Sequence, residues 1–299
     1  MSKQLKADLA LLLVTLGWGA SFILTKNSLS ELPTYNFLSI RFLFAFFITA
    51  VFYFKRIKNA DSFTVKYGIL LGILLYGVYS FQTIGLNYTT TSKSAFITGF
   101  SVILVPVFTA FINKRLPSVI TGVSVFFAFA GLALITLNQE VTGLNIGDFY
   151  TGICAVLFAL YIIAVGKYAP KADSLPFAII QIGTVGFLSL ITTLLTEDPT
   201  IPQSLSVWLN VAALSIVCTA GAFIVQNIAQ KYTTATHTAV IFTAEPVFAA
   251  VFGYIFVGEI LGARGIAGAV LIVASMLFIE LDIPKLLYDK KQRNLKESV

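Results

Sequence analysis

The chain has 299 residues, of which 57% are hydrophobic and only 11% are charged, and its formal net charge is +6. Because ordinary soluble domains carry about 25% charged residues, this composition excludes a soluble monomer. A chain with so few charges must face lipid and satisfy its backbone hydrogen bonds internally, which indicates a multi-pass protein of the cell membrane.

Long charge-free runs predict transmembrane helices, since the strands of a membrane barrel would alternate in polarity over about ten residues. Each run approaches the roughly 20 apolar residues that a spanning helix needs. In chain order, the predicted spans are 9–25, 35–54, 67–92, 94–113, 116–139, 149–166, 174–196, 199–230, 232–258 and 263–281. Three of them contain an internal charge, at Arg41, Glu245 and Glu280. The predicted fold class is an all-α integral membrane protein with ten transmembrane helices.

The positions of lysine and arginine predict the topology, because the cytoplasmic loops of membrane proteins are enriched in these residues. Lys26, Lys93 and Arg264 fall on the side opposite the N-terminus. Arg41 lies within a span, and all other basic residues fall on the side of the N-terminus, including those of a basic tail at 284–299. Both termini are therefore predicted to be cytoplasmic. This topology accounts for the positive net charge, so we expect no nucleic-acid partner.

An internal repeat relates the third and fourth spans to the eighth and ninth. The segment QTIGLNYTTTSKSAFI from Gln82 aligns without a gap with QNIAQKYTTATHTAVI from Gln226, and seven of 16 positions are identical. Five spans separate the two copies, and because five is odd, equivalent helices cross the membrane in opposite directions. We therefore predict a 5+5 inverted-topology repeat with halves at 1–142 and 143–283, an arrangement typical of carriers.

Four segments resemble the EamA-type branch of the drug/metabolite transporter superfamily. They read GWGASFILTKNSL, FLSIRFLFAF, YTTTSKSAFITGFSVILVPVF and IFTAEPVFAAVFGYIFVGEILGARGIAGAVLI. The resemblance covers essentially the whole chain and implies a ten-helix, 5+5 inverted-repeat carrier, often an exporter of amino acids or related metabolites. One difference is the pair Gly258 and Glu259 after the ninth span, since Asn113 and Lys114 lie near its counterpart in the first half.

Polar and aromatic side chains recur on one face of several predicted helices, as the walls of a central amphipathic cavity would require. On the fourth span, Thr98 and Ser101 share a face, and the repeat places Glu245 on the equivalent face of the ninth. The alternative for any single stripe is hydrogen bonding between packed helices. The candidate substrate-binding residues are Trp18, Phe22, Tyr76, Tyr79, Gln82, Thr98, Ser101, Tyr161, Phe223, Gln226 and Glu245.

Four ionisable residues are candidates for coupling or gating. Glu245 follows Ala235 by ten residues, which at about 1.5 Å per residue puts it about 15 Å deep, near the middle of the bilayer. It could exchange a proton or bind a substrate ammonium, or it could form a structural or switching ion pair with Arg41. Lys93 and His237 occupy equivalent repeat positions near opposite faces, where they could gate the two mouths or serve as ordinary helix-end residues.

These features predict a secondary transporter that moves a small amphipathic metabolite by alternating access. The leading hypothesis is export of an amino acid or related zwitterion, with possible proton coupling, and the alternatives are a carrier of choline-like organic cations or a channel. No catalytic or nucleotide-binding motif is present, so we expect neither an enzyme nor a cofactor. Cys154 and Cys218 lie within apolar spans, which argues against disulfides and a metal site. The expected partners are a small-molecule substrate and the lipid bilayer, with the protein as a monomer or a homodimer.

Overall fold

The computed structural model describes residues 2–114, 116–136, 145–257 and 262–280, and this part of the chain is helical. The helices before residue 140 are α1 (Lys3–Ser28), α2 (Thr34–Lys58), α3 (Ser62–Tyr88), α4 (Thr91–Gly99), α5 (Ser101–Asn113) and α6 (Val119–Thr136). Those after it are α7 (Ile146–Tyr168), α8 (Ser174–Thr196), α9 (Leu205–Ala213), α10 (Ala222–Ala229), α11 (Ala235–Phe242), α12 (Glu245–Val257) and α13 (Ala263–Glu280).

The helices account for the ten predicted spans. Seven helical segments are long and apolar enough to cross a membrane, and α4 with α5, and α9 with α10, each form one of them. The shorter apolar helices α6 and α13 and the pair α11 and α12 supply the other three. The prediction of an all-helical membrane protein is confirmed, and its ten-span count fits. The inverted relation of the halves and the side on which the termini lie stay predictions.

Capping side chains fix where several helices begin. The carboxylate of Asp61 accepts a hydrogen bond from the backbone N–H of Thr64 at 3.1 Å, at the start of α3. The side-chain and backbone hydrogen bonds from Thr64 lower the pKa of Asp61 below its usual value. At the start of α7, Asn145 and Asp148 form a reciprocal capping box. Such caps satisfy backbone donors that a helix end leaves without an intrahelical partner.

Two of the predicted spans are interrupted. The fourth changes from α4 to α5 at Phe100, and the ninth changes from α11 to α12 at Thr243 and Ala244. In the ninth span, Pro246 has no N–H to donate to the carbonyl of Phe242. The N–H groups of Thr243 and Ala244 instead bond to carbonyls three residues earlier, at 3.1 and 3.0 Å, which tightens the turn. The two breaks lie at equivalent positions of the repeat.

The first helix of each predicted half packs mainly against the other half. Helix α1 contacts α9 to α12, whereas α7 contacts α3, α4 and α5. At the edge formed by α6 and α13, Gly131 and Gly268 allow the two backbones to meet. A Cβ atom on Gly131 would lie 2.5 Å from the carbonyl oxygen of Gly268, and the reverse distance is 2.6 Å. Small residues are typical of such close contacts in membranes, where lipid competes with apolar packing.

Candidate functional site

A polar and aromatic cavity lies between α1, α2, α3, α4, α7 and α12. Its empty volume, which includes open solvent, is about 540 Å³. The lining residues come from the second half of α1 and of α3 and from the first half of α2, so the cavity lies toward the predicted outer face. The lining consists of Trp18, Ser21, Phe22, Thr25, Arg41, Val78, Tyr79, Gln82, Thr83, Leu86, Thr98, Phe158 and Glu245.

The two broken spans meet at this cavity. Thr98 lies just before the break at Phe100, and Glu245 is the first residue of α12. A smaller adjoining pocket has an empty volume of about 350 Å³, including open solvent. Thr98 and Glu245 line it too, and its lining also includes Ser101 and Thr243. Backbone interruptions at membrane depth are tolerated where they are buried in protein or line a cavity. Both breaks therefore supply polar groups to one space in the membrane interior.

Arg41 is held in place while part of its guanidinium lines the cavity. The side chain is 3% exposed, and its Nε–H donates to Thr219 Oγ1 at 2.8 Å. The Arg41 Cζ atom lies 5.0 Å from the ring centroid of Tyr79, within the range of a cation–π contact. Within the described residues, its terminal nitrogens have no hydrogen-bond partner. These nitrogens carry four N–H groups, which can donate hydrogen bonds to an anionic ligand.

The hydrogen bonds that hold Arg41 in place come from a π-helical segment at Leu214–Gly221, which joins α9 to α10. Within this segment Ser215 donates to the carbonyl oxygen of Arg41 at 2.8 Å, while Thr219 accepts from the Arg41 side chain. Such insertions shift the helix register locally and occur often at functional sites. Here the segment presents both hydroxyl groups to Arg41, and so fixes its backbone as well as its guanidinium.

Glu245 lines the same cavity as Arg41 but does not pair with it. Among the described residues, no basic side chain lies within 4.0 Å of the Glu245 carboxylate. The first turn of α12 provides the positive end of a helix dipole, which favours a negative charge there. In this structure Glu245 lines the cavity without an ion pair to Arg41, and its role in binding or coupling stays a prediction.

An aromatic cluster packs around the cavity-lining ring of Trp18. The centroid of the Trp18 ring lies 5.0 Å from that of Phe242, 5.9 Å from Phe223 and 6.2 Å from Phe158. The Trp18 indole N–H donates to the carbonyl of Cys218 at 2.9 Å, which fixes the ring. We call Trp18, Phe158, Phe223 and Phe242 the aromatic floor. Two of its rings, Trp18 and Phe158, line the cavity.

Two predicted binding residues, Tyr161 and Gln226, form buried hydrogen bonds outside the cavity lining. Tyr161 donates to Gln181 at 2.7 Å, and Gln181 donates to Asn227 at 3.1 Å. Gln226 donates to Gln230 at 3.0 Å. Another predicted residue, Tyr76, shares a hydrogen bond of 2.6 Å with Thr192 and does not line the cavity. Phe223 forms part of the aromatic floor.

The four candidates for coupling or gating occupy three places. Arg41 and Glu245 line the cavity, whereas Lys93 and His237 lie at opposite ends of the bundle. Lys93 forms a buried ion pair with Asp148, with 2.5 Å between Nζ and Oδ2. His237 Nδ1 lies 3.9 Å from Asp8 Oδ2 and 3.1 Å from Gln4 Nε2.

Sequence reasoning missed several residues that the structure brings to these sites. Phe158, Ser21 and Leu86 line the cavity, and Asp8 and Asp148 are partners of the candidate gating residues. The two aspartates lie within the first two turns of α1 and α7, where charged residues are ordinary. Gly258, Glu259 and the tail at 284–299 lie outside the described residues.

Comparison with known proteins places the chain among transporters. A family model described as "EamA-like transporter family" matches residues 5–137 and again 145–281. An uncharacterized transporter from Archaeoglobus fulgidus is 31% identical over 281 residues, which cover 94% of this chain and 88% of the relative. The uncharacterized transporter YvbV from Bacillus subtilis is 27% identical and covers 93% of each chain. A solved structure titled "Crystal structure of protein" has a TM-score of 0.79 at 19% identity, covering 94% of this chain and 98% of that one, which shows a shared fold.

Proposed function

The chain belongs to the EamA-like transporter family and is a multi-pass membrane transporter, and from this premise we propose that it exports an amino acid or a related zwitterion. Transport would proceed by alternating access between two five-helix halves, 1–142 and 143–283, in the cell membrane. The observation that carries the proposal is the presence of Arg41 and Glu245 in one cavity without an ion pair between them.

Opposite charges on separate walls suit a substrate that carries both charges. A guanidinium binds a carboxylate through parallel hydrogen bonds, and the Arg41 terminal N–H groups are available for this contact. Glu245 would accept from the substrate ammonium. The aromatic floor and Tyr79 would pack against the apolar part of the same molecule. A zwitterion thus satisfies both buried charges at once, whereas a singly charged ligand leaves one of them without compensation.

The broken spans supply a physical route for alternating access. Half-helices whose ends meet at a binding site near the bilayer midplane are a recurring feature of secondary transporters. In this state the aromatic floor would close the route toward the predicted cytoplasmic face. For the substrate to enter from the cytoplasm, Trp18 and Phe242 must separate, which the turn between α11 and α12 would permit.

Glu245 is also our candidate for proton coupling. Because no basic side chain of the described residues lies within 4.0 Å, its carboxyl group can bind either a proton or a substrate ammonium in turn. Because the proton and the substrate would compete for this carboxyl group, entry of a proton would drive export of the amino acid in exchange. In Glu245→Gln, flux should no longer respond to a pH gradient, and an unchanged pH response would refute the coupling.

A carrier of organic cations is the second candidate, favoured by Glu245 beside the aromatic ring of Trp18, since cations bind to such faces. Counterflow in proteoliposomes distinguishes the two, with a panel of labelled amino acids and choline. For a zwitterion, Arg41→Gln and Glu245→Gln should each reduce saturable flux at least tenfold. Tyr76→Phe, outside the cavity, is the matched control and should keep wild-type flux. Choline flux that survives in Arg41→Gln, without amino-acid flux in the wild type, would instead support the cation carrier.

A further inference from the structure

Two ionisable pairs join the first helix of each predicted half to the broken span of the other half. Lys93 on α4 pairs with Asp148 on α7, and the two side chains are 9% and 4% exposed. At the opposite end, His237 on α11 faces Asp8 on α1, with side chains 15% and 8% exposed. Each pair therefore connects helices that must move relative to each other if the halves exchange conformations.

The two pairs occupy similar positions in the two halves of the chain. Thr90 caps α4 by accepting from the backbone N–H of Lys93 at 3.2 Å, and Thr234 caps α11 by accepting from that of His237 at 3.2 Å. The family model matches begin at residues 5 and 145, so Asp8 and Asp148 each lie three residues after the first matched position. Lys93 and His237 therefore correspond in the aligned segments, and both aspartates lie near the start of a matched region. The chemical difference is a histidine in place of a lysine.

We propose that His237 and Asp8 form a proton-binding clasp at the predicted cytoplasmic mouth, which holds α1 against α11 more tightly when the imidazole is protonated than when it is neutral. This role as a gate rests on the proposed transport function. Histidine changes charge between pH 5 and 8, whereas lysine keeps its charge there. The Lys93 and Asp148 pair would hold the other mouth independently of pH, so the protein would sense pH at one end.

Gln4 supplies the alternative partner that a switch requires. Its Nε2 atom lies 3.1 Å from His237 Nδ1, and a neutral ring can accept a hydrogen bond there. Once protonated, the same Nδ1 becomes a donor and is attracted to Asp8 Oδ2 at 3.9 Å. Gln4 and Asp8 both lie on α1, so the bound proton replaces a neutral hydrogen bond between α1 and α11 with an ion pair between the same two helices. Because the ion pair adds to the attraction between α1 and α11, the clasp is strongest at low pH and weakens as pH rises.

Few other charges face His237 from the helices packed against it. Helices α5 and α6 contain no ionisable residue. Helix α7 has Lys167 at this end, with its ammonium 5.3 Å from the Tyr168 ring. Helix α1 adds Lys3, whose ammonium lies 6.0 Å from the Tyr232 ring, and the exposed Lys6. Helix α13 ends at Glu280, whose side chain lies outside the described part of the chain. Asp8 is therefore the carboxylate that the described residues bring to the histidine.

The test measures the mouth directly and needs no substrate. Nitroxide labels at Lys6→Cys on α1 and Tyr232→Cys beside α11, both exposed, report the distance across the mouth in nanodiscs by electron paramagnetic resonance. The two native cysteines are replaced by alanine. Between pH 5 and pH 8 we expect the ratio of closed to open populations to fall about fivefold, as for a partly exposed ion pair.

Four variants make the outcome decisive. His237→Gln should give the distance distribution of the wild type at pH 8 at every pH, and Asp8→Asn should lose the pH response. His237→Lys should stay closed throughout the range, so it decides the question even if the neutral variant folds poorly. Lys93→Gln is the control and should keep the pH response.

A wild-type distance that does not change with pH, or a response that survives in His237→Gln, would overturn the proposal. Because no transport is measured, failure of the clasp leaves the zwitterion proposal untouched. If the distance across the mouth responds to pH as predicted but the protein transports no amino acid, only the proposed substrate is refuted.

Discussion

The buried pair of Lys93 and Asp148 predicts a strong energetic coupling between the two halves. Removal of one partner from a buried pair costs about 3–5 kcal/mol, since the other charge is left in a poorly solvated site. Asp148 also accepts from the Thr89 hydroxyl at 2.8 Å and from the Asn145 backbone at 2.9 Å, which hold its carboxylate in place. We expect Lys93→Met and Asp148→Asn each to cost about 3 kcal/mol, and the double variant to cost about the same.

Thermal unfolding in detergent tests this coupling. At about 2 °C per kcal/mol for a chain of this size, each single variant should lower Tm by about 6 °C, and the double variant by about 6 °C. The matched control is the surface pair of Arg56 and Asp173, 2.9 Å apart with side chains 58% and 40% exposed. Its coupling should be about 0.5 kcal/mol or less. Additive losses in the double variant of the buried pair, about 12 °C together, would refute the reasoning.

Two further substitutions test the packing and the break. In Gly131→Leu, even the Cβ atom would lie 2.5 Å from the Gly268 carbonyl oxygen, so the substitution should lower Tm by several degrees. Wild-type stability of this variant would show that α6 and α13 do not pack in this way. Pro246→Ala restores an N–H that can bond to the Phe242 carbonyl, which should raise Tm by about 2 °C for about 1 kcal/mol while flux falls. Unchanged flux in that variant would show that the break is not needed for transport.

The helical membrane fold was predictable because lipid imposes a simple requirement on the chain. A spanning segment must satisfy its own backbone and present apolar side chains, so charge-free runs mark the spans directly. For the same reason, Arg41 and Glu245 could be identified as ionisable groups within apolar runs. The structure places both at the cavity.

Pro246 indicates a kink in the ninth span, but hydropathy identifies neither the other helix break nor the tertiary neighbours. Hydropathy does not respond to the turn at Thr243, since the residues around it stay apolar. A stripe of polar and aromatic residues identifies one face of a helix, but not the helix or cavity that this face contacts. Gln226 and Tyr161 therefore resembled cavity residues, although their partners are other buried amides. Asp8 went unnoticed because a carboxylate near a helix start is common, and its significance depends on a histidine far away in sequence.

The most direct test of the central claim is a binding cycle between the substrate charges and the two charged residues. Isothermal titration would compare the best amino acid of the counterflow panel with its amide, which lacks the carboxylate, and its desamino acid, which lacks the ammonium. In the wild type, loss of either group should weaken Kd about 10–100-fold, the value of a charged hydrogen bond. The amide should lose little further affinity in Arg41→Gln, and the desamino acid little in Glu245→Gln. Equal losses for both analogues in both variants would contradict recognition of a zwitterion by this pair.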